Sequence, residues 1–500
     1  MTGADSQTAQ TLQSPLGSNL REHARYPPLL TDLYELTMLA GYLEEGIAEK
    51  HAVFDLFYRN NPFEGGYALF AGLEPALDYL EGLCFKPDEL EYLQSLRIFK
   101  PRFIEFLSEF RFRGTVTAPP EGTVVFAHEP LLTVEGALAE AQFVETALLN
   151  IINFQTLVAT KAARITHAAA GAPVIEFGLR RAQGPDGALS CARAACIGGV
   201  RSTSNVQAGM VYELPVRGTH AHSWVLAFPD ELAAFRAYAD TFPSSTILLV
   251  DTYDTLKSGI PNAITVAREL RALGHELHGI RLDSGDLAFL SRESRRMFDE
   301  AGFPAVRIVA SNELDEFVID SIRSEDGRVD IYGVGTKLAT CSGAGGGALG
   351  GVYKLVSLNG VPKLKLTSDI AKATLPGEKK VLRAVGHDGG YIQDVICLSE
   401  DEPVGGDTVY DPVNPLQYTV LPAHVTMHDV RRVVMEEGCR IHPPESLDVM
   451  AERSAQEQAA LPQGCLRFIN PHRYKVSISG QLNDLRDRLI DQVQRSIDRA

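Results

Sequence analysis

The chain has 500 residues, of which 45% are hydrophobic and 22% charged, values that are typical of a globular protein with a large core. Its formal net charge of −17 argues against a general nucleic-acid or anionic-membrane surface, because both partners favour an excess of lysine and arginine. The 7 cysteines include no CxxC pair, so neither a disulfide framework nor a zinc knuckle is indicated, and we expect a reduced, cytoplasmic protein.

Residues 1–25 are polar, which predicts a mobile tail. They lack the basic and apolar regions of a secretory signal, and no apolar run approaches the roughly 20 residues of a membrane span. Amphipathic helices and alternating strands follow. We expect a helix over 29–46 capped by Thr31 or Asp32, a strand over 51–60, a helix over 73–83, strands over 122–136 and a long helix over 139–169.

The middle of the chain repeats one plan, in which a short apolar run is followed by a polar loop and a helix. The apolar runs are APVIEFGLRR, TILLVDTYDT, LHGIRLDSGD, VRIVASNELDE and DIYGVGTKL. Helical patterns such as AITVARELRALG and LAFLSRESRRMFDEAG lie between them. A strand, loop and helix that recur about every 30 residues are typical of βα units around a parallel sheet.

The pattern changes after residue 340. A glycine-rich loop, CSGAGGGALGG, leads into strand-like residues with a hairpin signal at Asn359 and Gly360. The chain closes with an amphipathic helix over 481–500.

These patterns predict an α/β fold with two domains behind the tail. Residues 146–354 are expected to form an α/β barrel. Residues 26–145 and 355–500, from both ends of the chain, are expected to form a flanking α+β domain.

In α/β barrels the active site lies at the C-terminal ends of the strands. The residues at those ends are Arg180, Arg181, Asp251, Asp254, Arg281, Asp283, Asp286, Ser311, Asn312, Gly333, Gly335 and Thr336. Arginines, carboxylates and small-residue loops suit a phosphosugar that is held with Mg²⁺. An aspartate after a strand can also cap the next helix, and we expect that role for Asp254 and Asp286 and chemistry for Asp251 and Asp283.

Two of these loops are candidate phosphate sites. Ser311 or Asn312 would lie near a helix cap whose free N–H groups face the ligand, and Gly333 and Gly335 would permit a close backbone approach. The alternative is that these residues only cap a helix and form turns. Their occurrence on consecutive strands favours phosphate binding.

The stretch VRGTHAHSWV places His220 and His222 two positions apart in a histidine-poor chain. From the residues alone, metal binding, catalysis and packing are all open. A zinc site would need more ligands than this neighbourhood supplies.

Several motifs, in chain order, carry a resemblance to a known family. They are LLTDLYELTM, EFGLRRAQGPDG, STSNVQAG, GTHAHSWV, VDTYDTLKSGIPNAI, IRLDSGDLA, VASNELDE, GVGTKLAT and LGGVYKLV. Together they resemble the nicotinate phosphoribosyltransferase family. The resemblance implies a dimeric type II phosphoribosyltransferase fold with an irregular α/β barrel. It also implies the first step of NAD salvage, in which nicotinate and phosphoribosyl pyrophosphate give nicotinate mononucleotide and pyrophosphate, coupled to ATP hydrolysis.

The resemblance also implies catalytic roles. The phosphorylated histidine of a GTxAH motif falls on His222, whereas His220 occupies the variable position, where we expect packing. Asp251 is the expected partner that fixes the tautomer of His222. Asp283 is expected to act in catalysis and to orient a Mg²⁺ shell indirectly, and ATP is implied as a co-substrate.

Binding roles follow from the same resemblance. Contacts to phosphoribosyl pyrophosphate are expected from Arg180, Arg281, Ser311, Asn312, Gly333, Gly335 and Thr336. Contacts to nicotinate are expected from Tyr34, Asp32, Phe177 and Ser223. Tyr34 and Asp32 resemble residues that the partner subunit contributes, so the implied active sites lie at the interface of a homodimer.

Other readings stay open. A nicotinamide phosphoribosyltransferase would use the same chemistry on a neutral base, and a non-catalytic phosphosugar or nucleotide sensor would keep the fold alone. An unrelated phosphate-binding barrel enzyme fits the ordered motifs poorly. No ligand contact is expected from the glycine-rich insert at 342–351, and no structural zinc is expected.

Overall fold

A computed structural model describes residues 26–366, 374–414 and 416–497, so the predicted tail, residues 1–25, lies outside the described residues. The helices are α1 (Leu33–Glu44), α2 (Leu73–Gly82), α3 (Pro87–Ser95), α4 (Pro101–Ser108), α5 (Leu138–Phe143), α6 (Glu145–Ala169), α7 (Gly184–Ile197), α8 (Val206–Tyr212), α9 (His222–Leu226), α10 (Glu231–Thr241), α11 (Ile260–Ala272), α12 (Leu287–Glu300), α13 (Glu316–Ser324), α14 (Thr336–Ala339), α15 (Leu447–Ala460) and α16 (Gly480–Ile497).

The strands are interspersed with these helices, and most of the elements beyond residue 352 are strands. They are β1 (His51–Phe57), β2 (Ala68–Leu69), β3 (Thr115–Ala118), β4 (Val124–Val125), β5 (Leu132–Ala137), β6 (Val174–Glu176), β7 (Ser202–Thr203), β8 (Ile247–Leu249), β9 (Gly279–Leu282), β10 (Arg307–Ser311), β11 (Ile331–Val334), β12 (Val352–Leu358), β13 (Val361–Pro362), β14 (Lys379–Val385), β15 (Tyr391–Leu398), β16 (Thr408–Tyr410), β17 (Tyr418–Val420), β18 (Thr426–Asp429), β19 (Arg432–Glu436), β20 (Cys439–Arg440) and β21 (Lys475–Ile478).

The predicted βα units form a six-stranded sheet in the order β7-β6-β11-β10-β9-β8. Its neighbouring strands all pair in parallel, as the repeated strand, loop and helix predicted. Among the described residues no strand pairing joins β7 to β8. The α/β barrel is therefore irregular, and hydrogen bonds do not close it.

Two other sheets flank the parallel one. An antiparallel seven-stranded sheet, in the order β13-β12-β1-β5-β3-β19-β20, combines strands from the N-terminal part of the chain with strands from the C-terminal part. A six-stranded sheet in the order β17-β16-β21-β15-β14-β18 is built from residues beyond 378. The exact domain boundaries given above stay a prediction.

Helix α6 connects the two main hydrophobic cores. Its N-terminal half, including Ile151 and Ile152, packs into the core around the seven-stranded sheet. Its C-terminal half, including Leu157 and Ile165, packs into the core around the parallel sheet. Most of this helix is buried, including the polar side chains of Gln155, Lys161 and Arg164, because its two halves lie in different cores. The structure divides the helix predicted over 139–169 at Val144, between α5 and α6.

Several helices were not predicted, α3 and α4 among them. Helices α3 and α4 each begin with a proline, Pro87 and Pro101, whose fixed φ suits the first turn. Among the described residues, no helix is both long and apolar enough to cross a bilayer.

Candidate active site

The predicted site residues that meet are at the C-terminal ends of β8, β9 and β10. Asp251 follows β8, Arg281 and Asp283 lie at the end of β9, and Ser311 is the last residue of β10. The parallel register brings these strand ends to one edge of the sheet, with Leu249 opposite Arg281. Asp251, Arg281, Asp283 and Ser311 are therefore joined in one hydrogen-bonded cluster.

His222 and Asp251 form a pair at the edge of this cluster. Nε2 of His222 lies 3.2 Å from Oδ1 of Asp251, whose side chain is 1% exposed, whereas that of His222 is 40% exposed. The other oxygen, Oδ2, accepts hydrogen bonds from the Asp283 backbone N–H at 2.9 Å and from the Ser284 hydroxyl at 2.6 Å. An ionised carboxylate only accepts, so Nε2 of His222 carries the shared proton and Nδ1 keeps its lone pair.

Arg281 holds the cluster together. Its Nε donates to the Ser311 hydroxyl at 2.8 Å, its Nη1 to the Thr219 hydroxyl at 3.2 Å, and its Nη2 to Oδ1 of Asp283 at 2.8 Å. The guanidinium also lies 5.4 Å from the centre of the Phe177 ring. A cation with this many fixed partners has one orientation, and such preorganised charge suits an anionic ligand.

His220, in contrast, is buried and bonded to backbone. Its Nε2 accepts a hydrogen bond from the Leu249 N–H at 3.2 Å, and its Nδ1 lies 3.3 Å from the Ala221 carbonyl oxygen. Burial lowers the pKa of His220 to about 4. These contacts agree with the expectation that His220 packs and that it does not react.

The predicted helix-capping residues have two different outcomes. Asp254 accepts from the N–H groups of Leu256 and Lys257, and Asp286 accepts from that of Phe289, so both are caps as predicted. The capping role predicted near Ser311 and Asn312 is wrong.

The helix after β10 begins later than expected, at Glu316. Its cap is Asp315, whose carboxylate accepts from two backbone N–H groups in the first turn. Asn312 and Glu313 adopt left-handed backbone, with φ of 84° and 45°, and so interrupt any helix there. Ser311 instead contributes its hydroxyl to Arg281 and Asp283, and Asn312 is exposed.

The two glycines of GVGT allow Phe177 to pack closely against them. A Cβ on Gly333 would lie 2.5 Å from the Phe177 ring, and one on Gly335 would lie 3.0 Å from the Phe177 carbonyl oxygen. Phe177 thus occupies part of the space beside these glycines that was predicted to admit a ligand. The Thr336 hydroxyl donates to Glu313 at 3.0 Å.

Other predicted residues lie outside the hydrogen-bonded cluster. Arg180 is exposed on the turn Leu179–Arg181 that follows β6, and Ser223 is exposed in the first turn of α9. Asp32 and Tyr34 lie at the start of α1, where Oδ2 of Asp32 is 3.5 Å from the Thr146 hydroxyl and Tyr34 is 44% exposed. In the described part of the chain no hydrogen bond links α1 to the cluster.

Asp283 is the only predicted magnesium residue. Its Oδ1 binds Arg281 and Ser311, whereas its Oδ2 has no hydrogen-bond partner among the described residues. No group of three or more His, Cys, Asp or Glu side chains in the described residues is arranged to hold a metal ion by itself. Magnesium in phosphate chemistry usually takes one or two carboxylates and completes its shell with substrate oxygens and water, so one free Asp283 oxygen fits that role.

Ser284 and Thr219 belong to the cluster but were not singled out from the sequence. Both lie inside the quoted motifs, in LDSGD and GTHAH. Their contacts to Asp251 and Arg281 join residues that are 33 and 62 positions apart, and spacing along the chain does not predict such contacts.

Comparisons with known proteins agree with this fold. The family model of the nicotinate phosphoribosyltransferase N-terminal domain matches residues 29–153, and that of the C-terminal domain matches residues 378–486. The nicotinate phosphoribosyltransferase of Bacillus subtilis is 42% identical, over 90% of this chain and 92% of its own. The human nicotinate phosphoribosyltransferase is 36% identical, over 92% of this chain and 96% of its own.

A solved structure gives the same result. The crystal structure of human nicotinic acid phosphoribosyltransferase superposes with a TM-score of 0.83 at 33% identity, over 92% of this chain and 99% of that one. The nicotinate-nucleotide pyrophosphorylase of Pyrococcus furiosus shares the fold, with a TM-score of 0.67 at 23% identity over 91% of this chain. The chain belongs to the nicotinate phosphoribosyltransferase family, as the motifs predicted.

Proposed function

We propose that this protein joins nicotinate to the ribosyl group of phosphoribosyl pyrophosphate and couples the reaction to ATP hydrolysis. The products are nicotinate mononucleotide, pyrophosphate, ADP and phosphate, which is the first step of NAD salvage from nicotinic acid. The observation that carries the proposal is the pair of His222 and Asp251 beside a fixed Arg281, in a chain that belongs to this family. A sensor on the same fold has no use for a histidine that a buried carboxylate prepares as a nucleophile.

The proposed coupling step uses the lone pair on Nδ1 of His222. Nδ1 attacks the γ-phosphorus of ATP, the bond to the bridging oxygen breaks, and ADP leaves with that electron pair. The ring gains positive charge as the N–P bond forms, and the Asp251 carboxylate at 3.2 Å stabilises it through the Nε2 proton. Water later cleaves the N–P bond, which releases phosphate and restores the neutral imidazole.

The proposed glycosyl step breaks the bond between C1′ and pyrophosphate and forms a bond from C1′ to the pyridine nitrogen. Negative charge develops on the leaving pyrophosphate, so fixed positive charge at that place stabilises the transition state. Arg281 has that fixed orientation, and the exposed Arg180 is proposed as a second, more mobile cation. Mg²⁺ bound with the substrate would neutralise further charge, and the free oxygen of Asp283 would help to orient its shell.

For nicotinate we propose a site beside Phe177, with a contact from Ser223. Asp32 and Tyr34 do not reach the cluster within one chain, so their proposed contribution comes from the partner subunit of a homodimer. The same residues would then bind substrate in the other active site of the pair.

The proposed location is the cytoplasm, which the free thiols of all 7 cysteines favour.

A product assay tests the proposal. The protein is incubated with phosphoribosyl pyrophosphate, Mg²⁺ and either nicotinate or nicotinamide, with and without ATP, and the nucleotide formed is measured. We expect nicotinate mononucleotide, formed faster with ATP. Preference for nicotinamide would instead support the related nicotinamide reaction, and tight binding of the phosphosugar without product would support a sensor.

A further inference from the structure

Strand β8 is an outer strand of the parallel sheet, so in the described part of the chain one of its edges lacks a neighbouring strand. The Val250 N–H donates to the Arg281 carbonyl oxygen at 3.2 Å, towards β9. Because successive N–H groups along a strand point in opposite directions, the Leu249 N–H points to the open edge. Leu249 is 1% exposed, and a buried N–H without a partner would be costly. His220 supplies that partner through Nε2 at 3.2 Å.

The position of this hydrogen bond relates it to the catalytic pair. His220 precedes His222 by two residues, and Leu249 precedes Asp251 by two residues. The two contacts therefore join the same two segments at neighbouring points, one at 3.2 Å through His220 and the other at 3.2 Å through His222. Moving the first contact would move the second.

His220 can make this contact in only one protonation state. Nε2 must be unprotonated to accept from Leu249, and Nδ1 then donates to the Ala221 carbonyl oxygen. Burial, and to a smaller extent the charge of Arg281, lowers the pKa of His220 to about 4, although the hydrogen bond to Ala221 opposes this effect. The ring is packed at 4.7 Å from that of Tyr238 and cannot easily reorient. His220 is thus neutral and fixed when His222 reacts.

We propose that His220 is a positioning residue, and that its hydrogen bond to Leu249 sets the distance and orientation of His222 relative to Asp251. This inference rests on the proposed function of His222. It assigns the variable position of the GTxAH motif a specific task in this chain, in addition to packing.

The test compares His220→Leu, which removes the acceptor, with His220→Gln, whose amide oxygen can replace Nε2. Phe235→Leu is the matched control. Phe235 is fully buried, and its ring centre lies 6.3 Å from that of His220. Its side chain has no polar atom, so it cannot accept a hydrogen bond from the Leu249 N–H. Two readouts are taken on the full-length protein. One is the rate at which His222 is labelled by γ-³²P-ATP, and the other is the ring ¹⁵N chemical shift of His222, which reports its tautomer.

We expect His220→Leu to slow labelling by about 10²-fold, the effect of a misplacement of about 1 Å, and to shift the His222 ring towards a mixture of tautomers. His220→Gln should recover most of the rate, and Phe235→Leu should lower the melting temperature without changing the tautomer. A folded His220→Leu variant that keeps the wild-type ¹⁵N shift would overturn the inference. If the wild-type protein is not labelled at all, the proposed phosphorylation of His222 has failed, and the tautomer readout alone still decides whether His220 positions His222.

Discussion

His222 donates a hydrogen bond to Asp251, and Asp251 accepts two more, from the Asp283 backbone and from Ser284. The carboxylate is thus surrounded by donors and almost fully buried, with a side chain that is 1% exposed. This arrangement fixes which nitrogen of His222 can act as a nucleophile, and it makes Asp251 the residue whose charge matters most to the proposed coupling step.

Replacement of Asp251 by asparagine should nearly abolish phosphorylation of His222. The amide presents donors of its own to groups that already donate, so His222 loses both its tautomer and its charge partner. We expect the rate of labelling by ATP to fall by about 10²- to 10⁴-fold. The control is Asp254→Asn, because Asp254 caps a turn that asparagine also caps well. Equal losses in the two variants would contradict a special role for Asp251.

Arg281→Lys should weaken binding of phosphoribosyl pyrophosphate. A lysine cannot bond Thr219, Asp283 and Ser311 at the same time, because it lacks the planar fork of the guanidinium. We expect the dissociation constant, measured by calorimetry, to rise by about tenfold or more. Arg236→Lys, in an exposed pair with Glu269, should leave binding unchanged. Unaltered affinity in Arg281→Lys would show that the fixed cation does not face the ligand.

Glu316→Gln should strongly destabilise the fold. Glu316 is 0% exposed and pairs with Lys161 at 2.6 Å and with Arg164 at 2.8 Å, which are 1% and 3% exposed. Loss of the carboxylate leaves two buried cations uncompensated, at a cost of about 3–5 kcal/mol. Glu269→Gln, which breaks the exposed pair with Arg236, should cost about 0–1 kcal/mol. Denaturant unfolding of both variants makes the comparison, and similar midpoints would contradict it.

Acid should weaken the same buried triad. Burial alone would raise the pKa of Glu316, but the charges of Lys161 and Arg164 outweigh it and hold the pKa below its ordinary value. A depressed folded-state pKa means that this contribution is complete above the unfolded-state pKa and is lost as the pH falls through the folded-state value. The acid limb of a plot of stability against pH should therefore become shallower in Glu316→Gln than in the wild type.

Glu35 should have the opposite pH dependence. Burial, together with the neighbouring charge of Glu145, raises the pKa of Glu35 to about 7, against hydrogen bonds that oppose it. The folded protein then binds a proton more tightly than the unfolded chain, so stability should fall as the pH rises from the unfolded-state value of 4.5 to about 7. The slope reaches up to about 1.4 kcal/mol per pH unit. Glu35→Gln should flatten this region, whereas Glu45→Gln, at the exposed end of the same helix, should not.

Much of the parallel sheet could be predicted because each strand is a short apolar run that ends in polar residues. Chain order then places Asp251, Arg281, Asp283 and Ser311 at one edge, and the structure shows them bonded to one another. The rule that active sites of α/β barrels lie at the C-terminal ends of the strands requires only the positions of those ends in the sequence. It therefore identifies this cluster without knowledge of side-chain contacts.

The errors arose where local backbone geometry decides the outcome. The sequence SNELDE offers two residues near a cap, but left-handed backbone at Asn312 and Glu313 moves the start of the helix to Glu316. Likewise, the glycines of GVGT suggested space for a ligand, but the Phe177 ring lies against Gly333. The contribution expected from Asp32 and Tyr34 depends on a second subunit and stays a prediction.

Identification of the phosphorylated atom is the decisive experiment for the proposed coupling step. The protein is incubated with γ-³²P-ATP, quenched at alkaline pH and mapped by mass spectrometry, with phosphohistidine isomers separated by chromatography. We expect label on Nδ1 of His222, together with loss of both the label and the ATP-dependent gain in nicotinate mononucleotide in His222→Ala. Label on another residue, or an ATP-dependent gain that survives in His222→Ala, would contradict the proposed coupling step.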